Sequence, residues 1–232
     1  MENALLGWME GNSYIPLLVR SLPLLLKGVV MTVQIVVCSA ALSGICGLLF
    51  GILSCNKLRI PFLSPLIEFF TFVLRAIPFF VQLLLVYFVL PDLLGVQLEP
   101  FPASVIALGL CSSGYVAQIV RGGLNAVPQV QWEGAFALGL NKPQSLRHII
   151  LPQVARAVVP MLNNELDALL KSTSIVSSIG MLELTRMGMN IVSREMQPVA
   201  IYLTVAFFYV CMSAILNLVA RAIERRFNYA RC

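Results

Sequence analysis

Charged side chains are scarce in this chain: they make up 12% of its 232 residues, about half the share of a soluble domain. That excludes an ordinary water-facing fold. Histidine occurs once, at His148, too few for a membrane-embedded enzyme built on a nucleophile–base pair or a metal cluster. The six cysteines, Cys38, Cys46, Cys55, Cys111, Cys211 and Cys232, form no C-x-x-C pair and lie mostly in or beside apolar runs. A disulfide scaffold and a zinc site are therefore not expected, and Cys232, as last residue, leaves no room for a prenylation box. There is no G-x-x-x-x-G-K-[S/T] loop, so the chain cannot hydrolyse ATP itself. The first residues carry no basic n-region and no small-residue cleavage site, and no removable signal peptide is expected. The formal charge of +5 is modest and is no nucleic-acid footprint.

Apolar residues dominate, at 59%. A bilayer needs about 20 apolar residues per helix, and five segments qualify: roughly 22–53, 61–90, 102–126, 154–181 and 198–220. The expectation is one all-α membrane domain over 1–232. The first segment is long enough to tilt or project. Pro61, Pro65 and Pro78 interrupt the second, since an interior proline removes a backbone hydrogen bond and kinks the axis. Gly109, Ser112, Ser113 and Gly114 mark a close-packing face on the third. Between the spans, 91–100 reads as an acidic loop, 127–153 as a polar connector and 183–197 as a polar loop.

Basic residues orient the bundle. On the side of Lys57 lie Arg59, Arg121, Lys142, Arg147, Arg156, Arg221, Arg225, Arg226 and Arg231, opposed only by Glu133 and Glu224. On the other side Arg20, Lys27, Arg186 and Arg194 face Glu2, Glu10, Asp92, Glu99, Glu183 and Glu195. The positive-inside rule puts the N-terminus outside and the C-terminus, with the 127–153 connector, in the cytoplasm.

Five ionisable residues remain inside the spans: Glu68, Arg75, Glu165, Asp167 and Lys171. A charge at the bilayer centre costs at least a few kcal/mol and normally faces protein or a water-filled path. Asn164, Asp167 and Lys171 share one helical face, with Glu165 on an adjoining flank, and Glu68 and Arg75 share another. Lys171 and Arg75 read as structural partners of neighbouring acids first, though Arg75 can also line a path. Gln118, Asn164, Glu165 and Asp167 are the candidate path residues. A carboxylate beside amides suits a zwitterion carrying a cationic group.

The most informative stretch is Gln131 to Pro152. Glu133 to Gly139 reads as a short helix. Gly139 allows a sharp left-handed exit, Asn141-Lys142-Pro143 turns the chain, and Pro143 suits the first turn of a second helix, which runs to Pro152. Glu133-Gly134-Ala135, then Gly139, then Ile149, Leu151 and Pro152 resemble the Glu-Ala-Ala, Gly, Ile-x-Leu-Pro loop of ABC importer permeases at the family's spacing. Gly134 departs from the middle Ala, at a cost of up to ~1 kcal/mol in helix propensity. Three further segments resemble polar amino acid permeases: Arg75-Ala76-Ile77-Pro78 with Gln82, Tyr115 to Leu124, and Lys171-Ser172-Thr173-Ser174-Ile175. Gln118 and Ser172 stand where that group usually has Glu and Asp, and a neutral Gln118 argues against strict selection of arginine or lysine.

This resemblance covers about residues 20–228. It implies a five-helix type I ABC importer transmembrane domain with a cytoplasmic coupling helix, in a bacterial inner membrane. It also implies a pathway formed with a second permease subunit, identical or related, and a cytoplasmic loop docked on an ATP-binding subunit that carries ATP and Mg. An external solute-binding protein would deliver a polar amino acid, basic or glutamine-like. The chain itself is expected to hold no cofactor or metal, to contact lipid and to bind no nucleic acid. An ABC permease for another solute, and a non-ABC channel or secondary carrier, remain the alternatives.

Overall fold

The computed structural model describes residues 14–228, with side chains over 16–224. All regular structure among them is helical: α1 (Tyr14–Leu53), α2 (Leu63–Ala76), α3 (Phe79–Leu94), α4 (Pro100–Ala126), α5 (Gln129–Ala137), α6 (Lys142–Ser145), α7 (Leu151–Ser172), α8 (Leu184–Glu195) and α9 (Pro198–Asn228). Short 3-10 turns at Asn56–Leu58 and Thr173–Ile179 follow α1 and α7.

Three of these helices are long and apolar enough to cross a bilayer: Pro16–Leu53, Pro100–Ala126 and Pro198–Glu224. The expected second span is not one continuous helix but two pieces. α2 and α3 meet at Ile77-Pro78 with a bend of 102°. The break frees carbonyls at the end of α2, and the buried side chain of Gln82 takes them up. Its Nε2 donates to Leu74 O at 2.5 Å and Ile77 O at 2.7 Å. The Arg-Ala-Ile-Pro-x-x-x-Gln segment is thus a self-repaired helix break. Irregular backbone at membrane depth survives only where protein or a water-lined cavity satisfies it.

The expected fourth span is α7, at 22 residues about 33 Å long. It is too polar to pass as a crossing helix by hydropathy, since it carries Arg156, Glu165, Asp167 and Lys171. It packs instead against α1, α4 and α9. Pro152 does not end a helix here: the chain runs from α6 into α7 through a π turn, Leu146–Ile150. A second π turn, Leu85–Val89, precedes Pro91. Widening the ring to i→i+5 relieves the clash between a proline ring and the carbonyl four residues back.

α1 and α4 form the main seam. With no hydrophobic drive between helices in lipid, close approach of small residues holds them. A Cβ at Gly47 would lie 2.5 Å from Val116, and one at Gly51 2.7 Å from Val120. Buried Ile35, Leu83, Ala103, Ala107 and Val176 close one half of the bundle. Cys55, Val120, Leu124, Trp132, Ile150 and Val154 close the other half, beside the α5–α6 elbow.

The segment after α7, expected as a polar loop, is a helix. Glu183 is fully buried and caps α8: its carboxylate accepts from the N–H groups of Thr185 and Arg186 at 2.8 and 2.7 Å and from the Tyr209 hydroxyl at 3.0 Å. Burial pushes this carboxyl up, against the pull of those donors. Leu184 and Ile191 pack inward with Leu25 of α1 and Ile201 and Val205 of α9.

Candidate functional site

A cavity of about 480 Å³ opens at the broken helix, within the range of small-molecule sites. The end of α2 and start of α3 supply Arg75, Ala76, Ile77, Pro78 and Phe79. α4 supplies Leu108, Cys111, Ser112 and Tyr115, and α7 supplies Glu165, Ala168, Leu169 and Ser172. Two features carry charge. Glu165 is held by a hydrogen-bonded chain in which Ser43 Oγ donates to Ser112 Oγ at 2.9 Å and Ser112 Oγ donates to Glu165 Oε1 at 2.7 Å. Arg75 anchors its Nε on Thr71 O at 3.2 Å and donates from Nη1 to Gln118 Oε1. The N-terminal end of α3 lines the same space, and its unpaired N–H groups form an electropositive end that favours a carboxylate.

The structure separates the residues that the sequence groups together. Arg75 and Glu165 line this cavity, and Gln118 bonds Arg75 and lines the two adjoining cavities. Asp167 does not line it. It accepts from Lys171 Nζ at 2.6 Å and from the Ser213 hydroxyl of α9. Asn163, one turn earlier on that face, donates to Asn217 Oδ1 at 3.3 Å. Asn164 is exposed and lines none of the three cavities. Glu68 and Arg75 do not pair along α2, for Glu68 meets Arg121 of α4 at 3.6 Å. Sequence reasoning missed Ser112 as a carboxylate anchor, although its position in a small-residue face of α4 was visible. It also missed Ser43, for which no local signal exists.

The elbow at α5 and α6 is built from local rules. Gly139 has φ +77°. Leu140 N donates to Ala135 O at 3.2 Å and Gly139 N to Phe136 O at 2.9 Å, the paired bonds of a Schellman stop. Asn141 and Gln144 cap each other reciprocally. Trp132 and Ala135 anchor α5 inward, while Glu133, Gly134 and Gly139 are exposed. Ile150 is fully buried beneath the elbow, Ile149 and Leu151 are half-buried, and Pro152 is exposed. Val130 and Leu138 are 71% and 76% exposed, an apolar surface on a connector that lies between spans.

Residues 43–229 match the family described as the binding-protein-dependent transport system inner membrane component. The chain belongs to this family. It is a permease subunit of an ABC importer, the membrane component and not the catalytic one. The permease is 34% identical over 208 residues to the arginine transport system permease protein ArtQ of Bacillus subtilis, covering 90% of this chain and 94% of that one. It is 32% identical over 213 residues to the glutamine transport system permease protein GlnP of Escherichia coli, covering 89% and 94%. Its fold overlays the crystal structure of an amino acid ABC transporter with histidines at a TM-score of 0.81, with 32% identity over 90% of this chain and 96% of that one. An inward-facing MetNI methionine transporter shares the fold at a TM-score of 0.79 and 20% identity. The permease is a multi-pass inner-membrane component, and its family works with an ATPase and a binding protein.

Proposed function

We propose that this permease carries polar amino acids, that Arg75, Gln118 and Glu165 mark their path, and that Glu133 to Pro152 couples it to the ATPase. The observation that carries the reading is the cavity itself. It offers a cation and a helix N-terminus on one wall and a carboxylate on another, the pair of charges an amino acid zwitterion presents in reverse. Glu165 would meet the ammonium group or a cationic side chain, and Arg75 with the α3 end the carboxylate. Neutral Gln118 leaves Arg75 uncompensated, so the charges of Arg75 and Glu165 balance. That favours a neutral polar side chain, such as glutamine's, over a basic one. The relatives include carriers of both kinds.

Two permease subunits, identical or closely related, would form the pathway, each on one ATP-binding subunit that holds ATP and Mg. The Glu133 face, with exposed Val130 and Leu138, would sit in a cleft of that subunit. The permease N-terminus would lie outside and its C-terminus in the cytoplasm, as the basic residues favour. An external binding protein would deliver the amino acid, ATP binding would draw the elbows together and open the cavity outward, and hydrolysis would reset it. The test is ATPase activity of the reconstituted complex with its binding protein. Glutamine or another polar amino acid should stimulate it several-fold, and Glu133→Arg should abolish co-purification with the ATPase. An active complex that no polar amino acid stimulates would remove the substrate class. A Glu133→Arg permease that still holds the ATPase would remove the coupling assignment.

A further inference from the structure

One stripe of α4 walls three cavities in succession. Leu108 and Ser112 line the cavity of Glu165, Tyr115 and Gln118 line the next, and Gly122 and Asn125 reach the third. These positions recur every three or four residues, so they share one face. From Leu108 to Asn125 the stripe is about 26 Å long at 1.5 Å per residue, most of a hydrocarbon core about 30 Å thick. Its far end lies beside the basic Lys57–Arg59 turn, on the side that the charge distribution assigns to the cytoplasm.

We propose that the third cavity is a second solute site, an exit subsite that takes an amino acid zwitterion. Its carboxylate binds Arg59 and Arg121 and its ammonium group binds Glu68. The assignment rests on the amino acid reading above. The cavity measures about 440 Å³, again the size of a small-molecule site. Glu68 and Arg121 stand 3.6 Å apart, beyond hydrogen-bond contact, and their side chains are 33% and 32% exposed. Both side chains therefore keep accessible surface toward the cavity, where a solute can compete for their charges. Arg59 is exposed and has no carboxylate partner among the described residues. The turn that carries it is pinned in place: Asn125 Oδ1 accepts from Asn56 N at 3.2 Å and from Cys55 Sγ at 3.4 Å. Gly122 borders open space, since a Cβ there would meet nothing within 4 Å.

The same pairing of cation and carboxylate thus occurs twice along the stripe. Between the two sites the Arg75–Gln118 hydrogen bond crosses from α2 to α4. A path works when each stop binds well enough to accept the solute and weakly enough to release it. A second matched stop shortens the step between the Glu165 cavity and water.

The test uses the purified complex with its ATPase, measured by equilibrium binding of radiolabelled L-glutamine and L-arginine, and the same complex in proteoliposomes for uptake. The wild type should show two classes of site per permease chain. Glu165→Gln should remove one class. Arg59→Gln and Glu68→Gln should each weaken the other at least tenfold and leave the first within twofold. Gly122→Phe, which fills open space without a backbone clash, should cut uptake about tenfold with the Glu165 class intact. A single class of site that Glu165→Gln removes and Arg59→Gln leaves untouched would overturn the exit subsite and leave the amino acid reading standing. Wild-type uptake by both Arg59→Gln and Gly122→Phe would reduce the Glu68–Arg121 pair to a helix staple and also overturn it. No amino acid binding to any assembled complex would remove both readings.

Discussion

α7 carries two carboxylates two positions apart, and its two faces use them differently. Glu165 faces a cavity and is held by one hydroxyl, Ser112, which leaves lone pairs free for a solute. Asp167 faces α9, where Ser213 bonds it, and Lys171 of its own helix bonds it as well. Asn163 and Asn217 extend that second face with an interhelical hydrogen bond. A polar group inside a membrane protein serves either packing or passage, and the count of protein partners already bonded separates the two. The partly satisfied carboxylate is the one with capacity left for chemistry.

Matched charge removals test this difference most directly. Glu165→Gln keeps an acceptor for Ser112 and removes only the charge. Amino acid uptake in proteoliposomes should fall more than tenfold, with the melting temperature of the complex unchanged. Asp167→Asn should do the reverse. Uptake per assembled complex should stay within twofold, and loss of the Lys171 pair should cost about 1 kcal/mol, a melting shift of about 2–4 °C at this chain length. If the two variants exchange phenotypes, the assignment of faces is inverted.

Selectivity gives a subtler reading of the cavity face. Gln118→Glu would compensate Arg75 and leave Glu165 in excess, so the ratio of arginine to glutamine uptake should rise several-fold in a competition assay. An unchanged ratio would mean that Gln118 does not influence the solute. The smallest effect lies on the packing face. A double-mutant cycle with Asn163→Leu and Asn217→Leu, read by thermal unfolding in detergent, should give a coupling of about 0.6 kcal/mol, the usual size of an interhelical hydrogen bond in membranes. A coupling in uptake instead of stability would move this face into the path.

The elbow and the cavity differ in how far the sequence foretells them. Gly139, Asn141, Gln144 and Pro143 form the elbow through bonds spanning a few residues, so residue type and spacing suffice. Helix periodicity placed Asp167 and Lys171 on one face and left Glu165 on a flank, but it carries no information on what each face meets. Glu183 shows a related miss. It stands at the head of the polar segment 183–197, and only contact with α1 and α9 reveals it as a buried cap. The signal available was the placement of Leu184, Gly188 and Ile191 on one helical face just after it.

Composition and local spacing alone determined that this chain is helical, lives in a membrane and turns at a capped elbow, because water, lipid and short-range hydrogen bonds act on each segment separately. Tertiary structure decided which of two neighbouring acids lines a cavity and how a broken helix is repaired. It also brought Ser43, Ser112 and Glu165 into one hydrogen-bonded chain. Those outcomes depend on side chains far apart in sequence whose packing orients them, and no single segment holds that information.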